Sequence, residues 1–235
     1  MALVAGGFFA ALVVGAAGFG DALIAAAFWL HIMAPGEAVP LIVMAGIAIH
    51  AIPFIRLYRS LDYSRIWVFL WPGLFGVPIG ISLLKILPAE PFKITVGVIL
   101  IVYSLFRLFV RNLAHVNSGG RKADLMVGGI GGVLGGLAGL SGIVVTIWCN
   151  LRGWSKAEQR GVFQPFALAM HGTAFALFLL TGSVTVDVAV NFLYILPAVV
   201  LGSIAGLRIY GKLNEQWFTR VVLLMLLGSG LILLI

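Results

Sequence analysis

The stretch Gly15-Ala-Ala-Gly-Phe-Gly-Asp21 breaks one long apolar run, and Gly136-Leu-Ala-Gly-Leu-Ser-Gly142 breaks another. A shift of 121 residues carries Gly15 onto Gly136, Gly18 onto Gly139 and Gly20 onto Ser141. The same shift carries Glu37 onto Glu158 and His50 onto His171. Interrupted apolar segments at matching places in two halves point to a binding site built on broken helices, as in secondary transporters.

Around these breaks the chain is 62% apolar and 10% charged, with a mean hydropathy of +1.14. That leaves too little polar surface for a water-soluble globule, and the apolar segments run the whole length, so the expected class is a polytopic membrane protein. The N-terminus lacks the basic stretch of a cleaved signal, so residues 1–30 are expected to belong to the fold. The single Cys149 forms no internal disulfide, and four scattered His give no metal-ligand spacing. The net charge of +7 sits in short loops between apolar runs, which is a topology signal and not a nucleic-acid footprint.

Six segments read as ordinary spans: 38–55, 66–84, 94–109, 161–180, 188–207 and 221–235, the last starting as early as Trp217. Segments 3–31 and 125–151 are longer and carry the breaks near their middles. A straight helix of the second length would reach about 40 Å, whereas each half reaches only the middle of a core roughly 30 Å thick. Charge decides between the layouts. With eight crossings the Lys and Arg divide 7 to 8. If both broken segments return to their own side, Arg56, Arg59, Arg65, Arg107, Arg111, Arg121, Lys122, Arg152, Lys156, Arg160, Arg208, Lys212 and Arg220 share one face. Only Lys85 and Lys93 remain opposite.

A 13 to 2 split is what the positive-inside rule expects of a cytoplasmic face. The fold class that follows is an all-α polytopic membrane protein of two inverted repeats, each a re-entrant helical hairpin followed by three transmembrane helices. The first repeat covers 1–116, a linker 117–124, and the second repeat 125–235. The expected location is the bacterial inner membrane, with both termini on the outer side. Gly76 and Gly80 match Gly202 and Gly206 at a shift of 126, a spacing suited to close helix approach. Ser155 and Glu158 read as a capping box opening the sixth segment.

After each break a half-helix begins, near Ala22 and near Ile143. Its unpaired N–H groups and positive dipole end offer an anion site without a basic side chain. The candidate binding residues are therefore Gly18, Gly20, Asp21 and Ala22 at the first tip, and Gly139, Ser141, Gly142 and Ile143 at the second. His50 and His171 lie about a dozen and about ten residues into their segments, near mid-depth. Protonated, they could pair with an anion; neutral, each could simply bond a neighbouring helix. Gln164 lies on the face of His171 and extends the polar stripe. Asp21 is discordant, since an ionised carboxylate repels an anion, and three roles stay open for it: cap, proton carrier or packing. Cys149 reads as a small buried residue, and Trp67, Trp71 and Trp217 as interface aromatics.

The second half reads Gly135-Gly-Leu-Ala-Gly-Leu-Ser-Gly142, then Leu151-Arg-Gly-Trp-Ser-Lys156 and Gln159-Arg160, and the end reads Leu201-Gly-Ser-Ile-Ala-Gly206 and Trp217-Phe-Thr-Arg220. In order and duplication these motifs resemble the TauE/SafE family of sulfite and organosulfonate transporters, over essentially the whole chain. The resemblance implies passage, most commonly export, of a sulfur oxyanion or small organic acid across the bacterial inner membrane. Two departures stand out: many members carry successive glycines where this chain has Gly20-Asp21, and a proline in the second half-helix, where Ile143–Trp148 has none.

The expected function is a secondary transporter of a small sulfur-containing anion, sulfite, a sulfonate or a related organic anion, working by alternating access around the two half-helix tips; the alternative is a passive anion channel. Enzymatic chemistry is not expected, because no nucleophile–base set, metal spacing or nucleotide loop is present. No cofactor is implied. The expected partners are the anion, the lipid bilayer and a coupling ion, proton or sodium; nucleic acid is not among them, and nothing specifies an oligomer.

Overall fold

The structure, a computed structural model, describes residues 1–57, 61–110, 120–209 and 215–234. Among them the chain is helical throughout: α1 (Ala2–Ala17), α2 (Asp21–Trp29), α3 (Pro35–Leu57), α4 (Tyr63–Ile86), α5 (Ala89–Phe109), α6 (Gly120–Ala138), α7 (Gly142–Leu151), α8 (Lys156–Leu180), α9 (Val186–Ile209) and α10 (Glu215–Ile232). Five described helices are long and apolar enough to cross a bilayer: α3, α4, α5, α8 and α9. Their outward residues are apolar, with Phe75 68% and Leu193 65% exposed, a surface suited to lipid and costly in water. The protein is a polytopic α-helical membrane protein. Five of the six expected spans lie inside observed helices that start two to five residues earlier, because polar first turns are helical too; the sixth, 221–235, runs past the end of α10 at Ile232.

Both breaks reverse the chain. Gly18 and Gly20 have φ of 97° and 103°, and Gly139 has 74°, a region that side chains resist. Beyond the first break α2 runs back along α1, because the Trp29 indole donates to the Leu3 carbonyl at 3.0 Å and Phe28 stacks on Phe9 at 6.0 Å. Beyond the second, the Trp148 indole donates to Asp124 Oδ1 at 2.6 Å, joining the end of α7 to the start of α6. The acceptors, residues 3 and 124, are 121 apart and the indoles, Trp29 and Trp148, 119 apart, so the two hairpins are closed by indoles two residues out of strict register. At nine and ten residues, α2 and α7 reach only about 14–15 Å.

The hairpins are held by backbone contact. α1 lies on α9 and α6 on α4; α3 packs on α8 and α5 on α10. A Cβ at Gly132 would stand 2.6 Å from Gly73 Cα, and one at Gly76 2.8 Å from Val133 N. On the other side, a Cβ at Gly15 would stand 2.8 Å from Gly206 Cα, and one at Gly202 would overlap the Phe8 carbonyl. Small residues on both helices thus let main chains touch, which is how membrane helices gain packing energy without a hydrophobic drive.

Local sequence sets the remaining starts. Asp62 caps α4, accepting from Ser64 N at 3.1 Å and Arg65 N at 3.3 Å. Ser155 and Glu158 form the expected capping box on α8. α6 starts at Gly120, within the stretch 117–124 expected as the linker. Arg121 and Lys122 favour helix, and Asp124 is tied to Trp148. Residues 117–119, Arg59, Arg111, Lys212 and the side chain of Trp217 lie outside the described residues.

Candidate functional site

The two tips meet. A Cβ on Gly139 would stand 3.4 Å from Ala22 Cβ, 2.6 Å from Ile42 Cγ2 and 3.7 Å from His171 Cε1. Bare glycine at the second tip therefore allows the start of α2, the middle of α3 and the middle of α8 to converge there.

Asp21 stands at this junction as the first residue of α2, capped by Gly20 with no side-chain bond. It does not cap the helix itself, because its carboxylate turns to two imidazoles. Oδ2 accepts from His171 Nε2 at 3.2 Å, and Oδ1 lies 3.3 Å from His50 Nε2, at ion-pair range but without hydrogen-bond alignment. The rings stack with centroids 5.7 Å apart and planes 25° from parallel. All three residues are buried: Asp21 is 8% exposed and each His 1%. Gly46 on α3 makes the slot for His171, since a Cβ there would stand 2.6 Å from His171 Nε2.

Electrostatics limits the states of this cluster. An ionised carboxylate out of water loses several kcal/mol of solvation. At 3.2 Å and an effective dielectric of 20, one imidazolium returns about 5 kcal/mol. A carboxylate with one imidazolium is neutral; a second proton makes the cluster +1. Each residue also offers one metal-ligand atom, all within 4.8 Å of one another. A metal needs each at about 2.0–2.1 Å, and a metal-bound imidazole usually donates its other N–H to a partner. Neither Nδ1 has such a partner among the described residues, so the geometry suits a shared proton better than a bound metal.

The other expected residues lie around this centre. Ala22 and Gly139 face each other across the junction. Ser141 packs against Gly131 and Gly135, its buried hydroxyl without a hydrogen-bond partner among the described residues. Gly142 and Ile143 open α7, where space beside Gly142 is open. Gln164 is 1% exposed, and neither atom of its amide has a hydrogen-bond partner among the described residues. Gly18 lies under the Arg160 guanidinium: a Cβ there would stand 2.9 Å from Nε. Gly20 borders a cavity of about 190 Å³ shared with α5, α7, α8 and α10.

Sequence reading passed over Arg160, Arg107, Tyr103, Thr146 and Gly46. A signal existed for the first: Arg160, Gln164 and His171 fall four and seven residues apart, on one face of α8. Arg107 enters the sequence argument only through the charge count of the basic face, although Tyr103 sits one turn before it. Cys149 is buried and free, without a role in the junction.

Neither curated proteins nor solved structures yield a match. The family described as sulfite exporter TauE/SafE matches residues 3–233. With that match over nearly all of its length, on broken helices meeting inside a membrane bundle, the chain belongs to the sulfite exporter TauE/SafE family of membrane transporters.

Proposed function

We propose that this protein is a secondary transporter that exports a small sulfur-containing anion, sulfite or an organic sulfonate, and exchanges a proton at Asp21, His50 and His171 as it does so. The observation that carries the reading is the buried carboxylate between two buried imidazoles at the junction of the two tips. Protonation takes that cluster from neutral to +1, so an anion nearby is held when the second proton is present and released when it leaves. This resolves the discord of Asp21, whose charge is spent on the imidazoles.

Two inverted repeats moving against each other are the natural frame. What supports it is the exchange of packing partners: α1 on α9 answers α6 on α4, and α4 on α8 answers α9 on α3. His50 and His171 come from equivalent places in the two halves. Alternating access around the junction then carries the anion from the basic side to the other, with both termini on the outer side. An inside-negative potential favours anion exit by about 2.3 kcal/mol per charge for each 100 mV.

The test is flux into proteoliposomes of purified protein, with sulfite, ethanesulfonate and acetate offered across a pH gradient. Saturable counterflow with proton movement is expected, and His171→Gln should abolish the proton movement. Ohmic, non-saturating current would overturn the reading.

A further inference from the structure

Next to the first break lies the cavity of about 190 Å³, and it does not include Asp21, His50 or His171 in its walls. It touches Gly20 at the N-cap of α2 and extends to Arg107 in the last turn of α5 and to Gln159 and Arg160 in the first turns of α8. These last elements belong to the strongly basic face of the molecule. The cavity therefore leads from that face to the tip, on the other side of Gly20 from the proton cluster.

Its chemistry is split. At one side are two guanidinium groups. Arg107 stands one turn after Tyr103 on α5, and both line the cavity. Arg160 reaches across Gly18, where the missing side chain leaves room for its Nε. Asn150 and Gln159 stand beside them and are joined at 3.4 Å, with Asn150 tied back to the Thr146 carbonyl at 3.1 Å. The remaining wall is apolar, from Phe163 on α8 and from Val222, Leu223 and Leu226 on α10.

A second, independent observation points to a ligand. Thr146 lines the cavity at 4% exposure, and its buried hydroxyl has no hydrogen-bond partner among the described residues. A buried hydroxyl left so is unfavourable unless something in the cavity bonds it.

We infer that this cavity is the anion-binding site, that Arg107 and Arg160 hold the oxyanion with help from Thr146, and that the preferred ligand is an organic oxyanion with a short apolar tail. Guanidinium groups match the planar fork of oxyanion oxygens. Size argues for the tail. The volume equals roughly six waters of liquid, and an apolar cavity of about 150 Å³ accepts a benzene ring. A bare sulfite fills only part of it and leaves the α10 wall without contact. A two- or three-carbon sulfonate covers that wall while its head reaches the arginines.

This inference rests on the anion-transport reading but is tested by equilibrium binding. Purified full-length protein in detergent is titrated with sulfite, ethanesulfonate, propanesulfonate and neutral diethyl sulfone, followed by calorimetry. Propanesulfonate is expected to bind more tightly than sulfite, and diethyl sulfone not at all. Arg160→Gln and Arg107→Gln should each weaken propanesulfonate about ten- to hundred-fold, while Arg160→Lys loses less. Leu226→Trp, which fills the apolar side and leaves the arginines in place, should weaken propanesulfonate more than sulfite. The thermal midpoint of each variant, measured in parallel, identifies any that fails to fold, and Leu226→Trp and Arg160→Lys then carry the test. Propanesulfonate binding unchanged in both arginine-to-glutamine variants, or equal binding of diethyl sulfone, would overturn the assignment. Failure of the transport reading looks different: binding that depends on both arginines, with ohmic flux.

Discussion

Replacing Gly132 by Ala tests whether backbone contact between α6 and α4 holds the second hairpin. The new Cβ would stand 2.6 Å from Gly73 Cα and 2.7 Å from Gly73 C, against main chain that cannot rotate away. To recover an ordinary carbon separation of roughly 3.5 Å the helices must part by about 1 Å. A gap of that size forfeits a quarter to a half of each dispersion contact nearby, including those of Gly128 with Phe69 and Gly136 with Val77. Overpacking of this kind costs about 1–3 kcal/mol. For a chain of this length that lowers the thermal midpoint by roughly 2–12 °C. The control is Gly172→Ala on α8, where a Cβ meets nothing within 4 Å. There the better helix propensity of Ala, up to about 1 kcal/mol, should hold or raise the midpoint. The assay is thermal unfolding in detergent, followed by tryptophan fluorescence and loss of the monodisperse peak on gel filtration. A Gly132→Ala midpoint at or above wild type would refute the contact reasoning, as would equal losses from both substitutions.

Gly46→Ala puts a methyl where His171 Nε2 now sits and should cut proton-coupled transport by ten-fold or more, since displacements of about 1 Å commonly cost that much. Gly36→Ala on the same helix meets open space and should leave transport unchanged, measured in the same proteoliposomes. Trp148→Phe leaves half-buried Asp124 without its indole donor, and should lower the thermal midpoint by the equivalent of about 1–2 kcal/mol. For topology, single cysteines introduced into a chain carrying Cys149→Ala should react with an impermeant thiol reagent from outside at Pro35 and from inside at Ser155. The opposite pattern would dismiss the re-entrant arrangement.

Much of the fold was legible because membrane helices are written in composition and breaks in glycine. The half-helix starts expected near Ala22 and Ile143 fall at Asp21 and Gly142, because positive φ at Gly18, Gly20 and Gly139 ends one helix and frees the next. The glycines at 76, 80, 202 and 206 were readable as contacts, since their spacing of four marks one helix face. The site was only half legible. Shifts of 121 residues paired His50 with His171, yet no local pattern says that both rings point at Asp21, which depends on α3 packing on α8. The cavity was still less visible. Its arginines come from helices 53 residues apart, and each alone looks like a cytoplasmic surface charge.

The paired scaffold carries an unpaired acid, and this asymmetry yields a last prediction. The shift that equates His50 with His171 sends Asp21 to Gly142, so a symmetric site would hold a second carboxylate at the second tip. Space does not forbid it, since a Cβ at Gly142 meets nothing within 4 Å and its φ is not positive. Charge does. One carboxylate between two imidazoles can reach +1, whereas two carboxylates leave the same pair at zero or below. Gly142→Asp should therefore fold with an unchanged thermal midpoint and lose anion binding. Even about 10 Å from the bound anion, at an effective dielectric of 20, the new charge opposes it by about 1.7 kcal/mol, more than ten-fold in affinity. Gly142→Asn, of the same shape without the charge, should bind as wild type. Equal propanesulfonate affinity in Gly142→Asp and Gly142→Asn would mean that the anion does not sense the junction, and that the cavity beside Gly20 works apart from the proton cluster.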